Sequence, residues 1–214
     1  MAQKVNQNGN VIVCNGSEAL SLANIFAEFG YAAYVDGMDN TTGISFDFMV
    51  LPGNAMDINP KLYNQQPHET TCFHNEMDVK EIAFYHKHKA LKKLGVCRGA
   101  QLINILNGGS MWQNVTGHSS GKHIIEDING RSRVVSTVHH QMMRPAEHAC
   151  VIAWTKRATM KEDDKVAKTF AIPEEDPEVI LYPNDRALCY QPHPEWDHGI
   201  ARSYFFNLIE EFLH

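Results

Sequence analysis

The stretch Gly95-Val96-Cys97-Arg98-Gly99-Ala100-Gln101 constrains this chain more than any other. Leu91, Leu94 and Val96 lead into it as a short apolar strand, and Leu102, Ile105 and Leu106 follow it at helical spacing. Cys97 therefore stands where a strand turns sharply into a helix. Gly-x-Cys-x-Gly is the cysteine form of the nucleophile elbow, in which the residues two before and two after the nucleophile must have almost no side chain. At such a bend the sulfur lies at the positive end of a helix, where a thiolate is favoured over a thiol. The plainer reading of Cys97 is a small buried hydrophobe.

The first 50 residues read as β-α-β. Val11 to Cys14 is an apolar strand, and Ser17 is the expected N-cap of a helix carrying Leu22, Ile25, Phe26 and Phe29. Gly30 stops that helix, and Tyr31 to Val35 and Phe46 to Leu51 read as two further strands. Strands alternating with helices predict an α/β fold with a doubly wound, mostly parallel sheet flanked by helices, its chemistry at the carboxyl ends of the strands. Gly53 and Cys97 both fall at such ends. Residues 54–76 read as a long loop, of a length that is usually functional or mobile. Asp78 to Lys93 reads as a helix with Val79, Ile82, Ala83 and Ala90 inward. His123 to Ile128 and Arg131 to Val138 read as strands about the turn Asn129-Gly130, a small antiparallel excursion. Cys150 to Trp154 and Ala187 to Tyr190 are later strands, and Ile200 to Leu213 is an amphipathic helix. The charged stretches Lys156 to Lys168 and Pro173 to Glu178 each read as a solvated hairpin or loop.

The 214 residues suit one domain with a sizeable core, and no internal boundary divides them. A net charge of −6 disfavours nucleic acid or an anionic membrane as partner. No apolar run approaches a membrane span, and the first residues carry no signal core. Five scattered cysteines without a C-x-x-C pair fit a reducing, cytoplasmic setting.

A cysteine nucleophile needs a base, and the base needs an orienting group. Among 12 histidines, His193 has a distinctive frame: it follows an apolar strand, sits between Pro192 and Pro194, and precedes Glu195 by two residues. Residues two apart in extended chain point the same way, so Glu195 can hold one imidazole nitrogen and leave the other for sulfur. His118, His123, His139, His140 and His198 show no H-x-x-x-H or C-x-x-C pattern, so no metal and no other cofactor is expected.

Four blocks, in order, carry a resemblance: Leu51 to Tyr63, Gly95 to Ser110, Val135 to Gln141, and His193-Pro194-Glu195. Together they resemble the class I glutamine amidotransferase superfamily, a flavodoxin-like fold, and within it the gamma-glutamyl-gamma-aminobutyrate hydrolase branch. The resemblance implies that Cys97 attacks a gamma-glutamyl amide to give a thioester, with His193 as acid and base and Glu195 orienting it. It implies an oxyanion hole from backbone N–H groups of Gly53 or Asn54 and of Arg98, and a glutamyl pocket bordered by Gln101, His139, His140 and Gln141. Asn54 replaces a usual glycine, and asparagine tolerates a positive φ there. The substrate would be a small gamma-glutamyl amide. A synthetase on another chain is the partner expected if the protein is a glutaminase subunit, because no G-x-x-x-x-G-K-[ST] loop occurs here. A catalytically silent binding module is the remaining class.

Overall fold

Alternation along the first strands decides the layering. Val11 and Val13 point to one side of the sheet and Ile12 and Cys14 to the other; Phe48 and Val50 oppose Met49 and Leu51 in the same way. Both faces are apolar, so both must be covered. The computed structural model describes residues 8–119, 121–155, 161–162, 168–169 and 176–214.

The strands are β1 (Asn10–Val13), β2 (Ala32–Val35), β3 (Phe48–Leu51), β4 (Lys92–Val96), β5 (Ser110–Trp112), β6 (Asn114–Val115) and β7 (Lys122–Asp127). They continue as β8 (Ser132–Ser136), β9 (Met142–Arg144), β10 (Cys150–Thr155), β11 (Lys161–Glu162), β12 (Lys168–Thr169), β13 (Asp176–Tyr182) and β14 (Ala187–Tyr190). The helices are α1 (Ala19–Glu28), α2 (Asn75–Lys87), α3 (Arg98–Leu106) and α4 (Ile200–Leu213). The main sheet has the order β2-β1-β3-β4-β14-β13-β10-β7-β8. From β2 to β14 the pairings are parallel, and from β14 outward they are antiparallel. Helices α1 and α4 cover one face through Leu22, Ile25, Phe26, Phe205 and Ile209. Helices α2 and α3 cover the other through Phe84, Tyr85, Leu102 and Ile103. The doubly wound α/β architecture holds, with its antiparallel wing built from the second half of the chain.

Three local expectations are corrected. Helix α1 starts at Ala19, and Ser17 makes no cap; its hydroxyl donates instead to the Gly53 carbonyl at 3.5 Å. Helix α2 ends at Lys87 and turns a different face inward: Val79 is 67% exposed, while Asp78, Glu81, Phe84 and Tyr85 are buried. The reason is Arg98, fully buried at the start of α3, whose guanidinium pairs with both Asp78 and Glu81. A buried guanidinium requires such partners. Lastly, Asp176 and Glu178 are not in a solvated loop but fully buried in β13. Of Lys156 to Lys168, only 161–162 and 168 are described, in antiparallel β11 and β12; residues 173–175 lie outside the described residues.

The elbow requires its glycines. A Cβ on Gly99 would stand 2.1 Å from the Leu51 carbonyl oxygen, and one on Gly95 would stand 2.6 Å from Ala100 Cα. Both obstacles are backbone, so neither can swing aside. Gly99→Ala is expected to destabilise the protein by about 1–3 kcal/mol, the usual cost of overpacking. Urea unfolding measures this, and an unchanged midpoint with an unchanged slope would contradict the packing described.

Candidate active site

Cys97 is held at φ 49° and ψ −111° between β4 and α3, a region that side-chain-bearing residues rarely occupy. Its amide donates to the Tyr190 carbonyl at 2.9 Å, and its carbonyl accepts from the Gln101 amide at 3.0 Å, which starts the helix. The residue is 7% exposed, and that surface opens onto a cavity of about 280 Å³ bounded by Ser17, Glu18, Asn54, Val138, His193 and Trp196.

Strand β14 lies beside β4, so the turn after Tyr190 brings His193 to Cys97 across 96 residues of sequence. Its Nδ1 lies 2.7 Å from Glu195 Oε1, as the two-residue offset predicts, and the ring borders the same cavity as Cys97. Gly53 closes the arrangement from β3: a Cβ there would fall 2.7 Å from His193 Cε1 and 3.5 Å from Cys97 Cβ. Burial opposes protonation of His193, but the hydrogen bonds and charges of Cys97 and Glu195 outweigh it and push the imidazole up to about 10.

Several supports carried no sequence signal. Trp196 stacks on His193 with centroids 3.9 Å apart and planes 7° apart. The Ser136 hydroxyl accepts from the His193 amide at 2.9 Å and donates to the His193 carbonyl at 3.2 Å. Asp197 in turn accepts from the Ser136 amide at 3.1 Å, and Arg202 donates to the carbonyls of Pro194, Glu195 and Asp197. Ser136 is found in the sequence only as part of a block, and its contact with residue 193 is long-range.

The other residues singled out from sequence gather on the opposite side of Cys97. A smaller cavity, about 60 Å³, is bordered by Asn54, Asp57, Cys97, Arg98, Gln101 and residues 138–141. Gln101 Nε2 donates to Gln191 Oε1 at 3.2 Å and to the Gln141 carbonyl at 3.3 Å. His140 Nε2 lies 2.9 Å from Asp57 Oδ1, which raises the His140 pKa and ties the two walls together. His139 borders the cavity, yet its Nδ1 is committed to the Gln141 carbonyl at 2.8 Å and its Nε2 faces Glu178 at 3.6 Å. Asn54 needs no positive φ; its side chain accepts from the Met56 amide at 3.0 Å and donates to Ser17 Oγ at 3.1 Å. Arg98 contributes its side chain to the Asp78–Glu81 clamp.

The structure also brings together His118, His139 and Glu178, whose ligand-type atoms all lie within 4.8 Å of one another. Spacing in sequence could not reveal this group, because its members come from three separate segments.

Solved structures with the same fold include a GMP synthase subunit-like protein from Thermoplasma acidophilum (TM-score 0.62, 16% identity, covering 94% of this chain and 92% of that one). Another is PurLQS from Thermotoga maritima (TM-score 0.61, 12% identity, 94% and 98% covered). At these identities the likeness concerns the fold, which is that of the class I glutamine amidotransferases. A family model for Peptidase C26 matches residues 38–167, more than half of the chain, and the protein belongs to that family. The matched segment contains Cys97 and stops short of His193 and Glu195.

Among curated relatives, a putative glutamine amidotransferase-like protein, the YvdE homolog of Lactococcus lactis subsp. cremoris, is 33% identical over 115 residues, 49% of this chain and 60% of that protein. Protein NtpR of Enterococcus hirae is 36% identical over 90 residues, 40% and 33% respectively. The matches thus span no more than about three fifths of these relatives' own lengths. No described helix is long and apolar enough to cross a membrane.

The raised pKa of His193 has a thermodynamic consequence. A base whose pKa is higher folded than unfolded stabilises the fold fully below its unfolded value near 6.5, and that contribution is lost as pH rises through the folded value of about 10. The urea midpoint is therefore expected to fall more steeply between pH 6.5 and 10 in the native protein than in His193→Gln. Parallel curves would contradict the environment described.

Proposed function

We propose that the protein hydrolyses the gamma-glutamyl amide bond of glutamine or a gamma-glutamyl amine through a thioester on Cys97. The observation that carries this reading is a single imidazole, His193, that holds Glu195 through Nδ1 at 2.7 Å and lines the same cavity as Cys97, both packed against Gly53. The whole chain, 1–214, acts as one glutamine amidotransferase-like domain.

In the first half-reaction the Cys97 sulfur attacks the side-chain carbonyl carbon. As it attacks, the thiol proton passes to His193 and the carbonyl electrons move to oxygen; His193 then gives that proton to the departing nitrogen as the C–N bond breaks. Ammonia or an amine leaves, and a glutamyl thioester remains. In the second half, His193 takes a proton from water, the hydroxide attacks the thioester, and the C–S bond breaks to release glutamate. Glu195 and Trp196 hold the ring in one orientation throughout. Backbone N–H groups at Asn54, or Gly53, and at Arg98 flank the sulfur and receive the developing oxyanion; fixed donors of this kind need no reorganisation as charge builds. Gln101, His140 and Gln141 form the wall that recognises the glutamyl amino and carboxylate groups. Free, scattered cysteines fit work in the cytoplasm.

A second reading keeps the chemistry and changes the product's fate. One protein sharing this fold is described as part of a GMP synthase, and another as PurLQS. On this reading the ammonia released by the present chain would pass to a synthetase on another chain. Strong activation of glutamine turnover by such a partner favours this reading, and full activity of the isolated chain on a gamma-glutamyl amine favours the free-standing hydrolase.

The test is glutamate release from glutamine and gamma-glutamyl amines. Cys97→Ala is expected to lower the rate at least 1000-fold, in line with loss of a nucleophile, while the urea midpoint stays close to that of the native protein. Residual hydrolysis within tenfold of the native rate would refute the assignment.

A further inference from the structure

Beyond the cysteine site, the most unusual chemistry lies under the wall of the smaller cavity. His118, in the loop after β6, His123 on β7, His139, in the loop after β8, and Glu178 on β13 are each no more than 4% exposed. Three imidazole nitrogens converge on one carboxylate oxygen. Glu178 Oε1 lies 3.2 Å from His118 Nδ1, 3.3 Å from His123 Nε2 and 3.6 Å from His139 Nε2. None of the three contacts has the geometry of a hydrogen bond, and among the described residues both Glu178 carboxylate oxygens lack a hydrogen-bond donor. Buried polar atoms in this condition call for a partner.

We propose that His118, His123, His139 and Glu178 form a structural zinc site. With Zn–N and Zn–O bonds of 2.0–2.2 Å, neighbouring ligand atoms of a tetrahedral site stand about 3.4 Å apart; the three distances to Glu178 Oε1 bracket that value, His118, His139 and Glu178 form the mutually close set within 4.8 Å, and His123, near Glu178 but outside that set, has to draw in to close the fourth position. Three neutral imidazoles and one carboxylate suit zinc, whereas magnesium and calcium take oxygen ligands.

The outer contacts agree. A metal-bound imidazole commonly gives its other N–H to a carboxylate or a carbonyl. His118 Nε2 lies 3.0 Å from Asp176 Oδ2, and His139 Nδ1 lies 2.8 Å from the Gln141 carbonyl oxygen. Those two bonds set the tautomers that turn His118 Nδ1 and His139 Nε2 toward Glu178. A dication also balances the two buried carboxylates of Asp176 and Glu178.

The competing arrangement is a protonated His118 shared by the same two carboxylates. Its pKa is raised to about 8 because the hydrogen bond to Asp176 and the charges of Asp176 and Glu178 outweigh its burial. That arrangement would hold no metal, so the two are separable. The zinc ties β7, β13 and residues 118 and 139 together beneath the wall at Gln101 and Gln141. His139 then acts as a ligand that positions this wall, and its side chain does not contact the substrate.

Elemental analysis by mass spectrometry of the full chain, grown with zinc and purified without a histidine tag, tests the site. One zinc per chain is expected in the native protein and equally in Cys97→Ser, which removes the reactive thiol and makes the readout independent of hydrolysis. Chelation is expected to lower the melting temperature and added zinc to restore it. Glu178→Gln and His118→Ala are expected to retain less than a tenth of the zinc. Asp176→Asn, a milder change that serves if those variants do not fold, is expected to weaken zinc binding roughly 10–100-fold. Zinc below a tenth of stoichiometry in the native protein, with no thermal response to added zinc, would overturn the proposal. Full zinc content in Glu178→Gln, or in Asp176→Asn with unchanged affinity, would overturn it equally.

Discussion

Everything about this site depends on the contact between Gly99 and the carbonyl of Leu51. It lets α3 start against the end of β3, and so forces the chain through a left-handed φ at Cys97. Such a conformation costs on the order of 1–3 kcal/mol and persists only where its surroundings leave no alternative. Here the sheet supplies those surroundings: β4 is central, paired on both edges by β3 and β14. The same two neighbours deliver the rest of the machinery. β3 ends at Gly53, which packs on both Cys97 and His193, and β14 runs into the turn that carries His193 and Glu195. Strand order thus converts three distant segments into one site.

What the sequence displayed depended on how local the cause was. The elbow was legible because its glycines stand at a fixed spacing about the cysteine, although only Gly95 meets a local obstacle, at Ala100, and Gly99 answers to Leu51 on another strand. The His193–Glu195 pair was legible because an offset of two in extended chain dictates direction. Strand β14 and helix α4 carried clean apolar patterns and fall where those patterns end. By contrast, the inward face of α2 was misread, since Asp78 and Glu81 are drawn inside by Arg98, a partner on another helix. Ser17 looked like a cap and is instead a brace for residues 53 and 54. Charge misled most at Asp176 and Glu178. Acidic residues between prolines read as solvated chain, yet β13 is inserted between β14 and β10, and only the histidines facing them reveal why carboxylates can be buried there.

The two buried ionic clusters differ in kind. Arg98 with Asp78 and Glu81 is a closed set in which the cation fits its partners, and it locks α2 to the start of α3. The histidine–glutamate cluster has nitrogens aimed at oxygen without the geometry to bond it. Both lie within one residue layer of the cysteine cavities, one under the elbow and one under the opposite wall. The cysteine cavity is therefore framed by charge held inside the protein, which is costly to bury and correspondingly resistant to slippage.

The central claim is that Cys97 is poised to attack a glutamyl carbon. Its most direct test is the intact mass and peptide map of the protein after incubation with 6-diazo-5-oxonorleucine, which alkylates a thiolate with loss of dinitrogen. A single adduct is expected, on Cys97, that excess glutamine prevents and that is absent in His193→Ala. No adduct, or one distributed over Cys72 and Cys150, the exposed thiols, would contradict it.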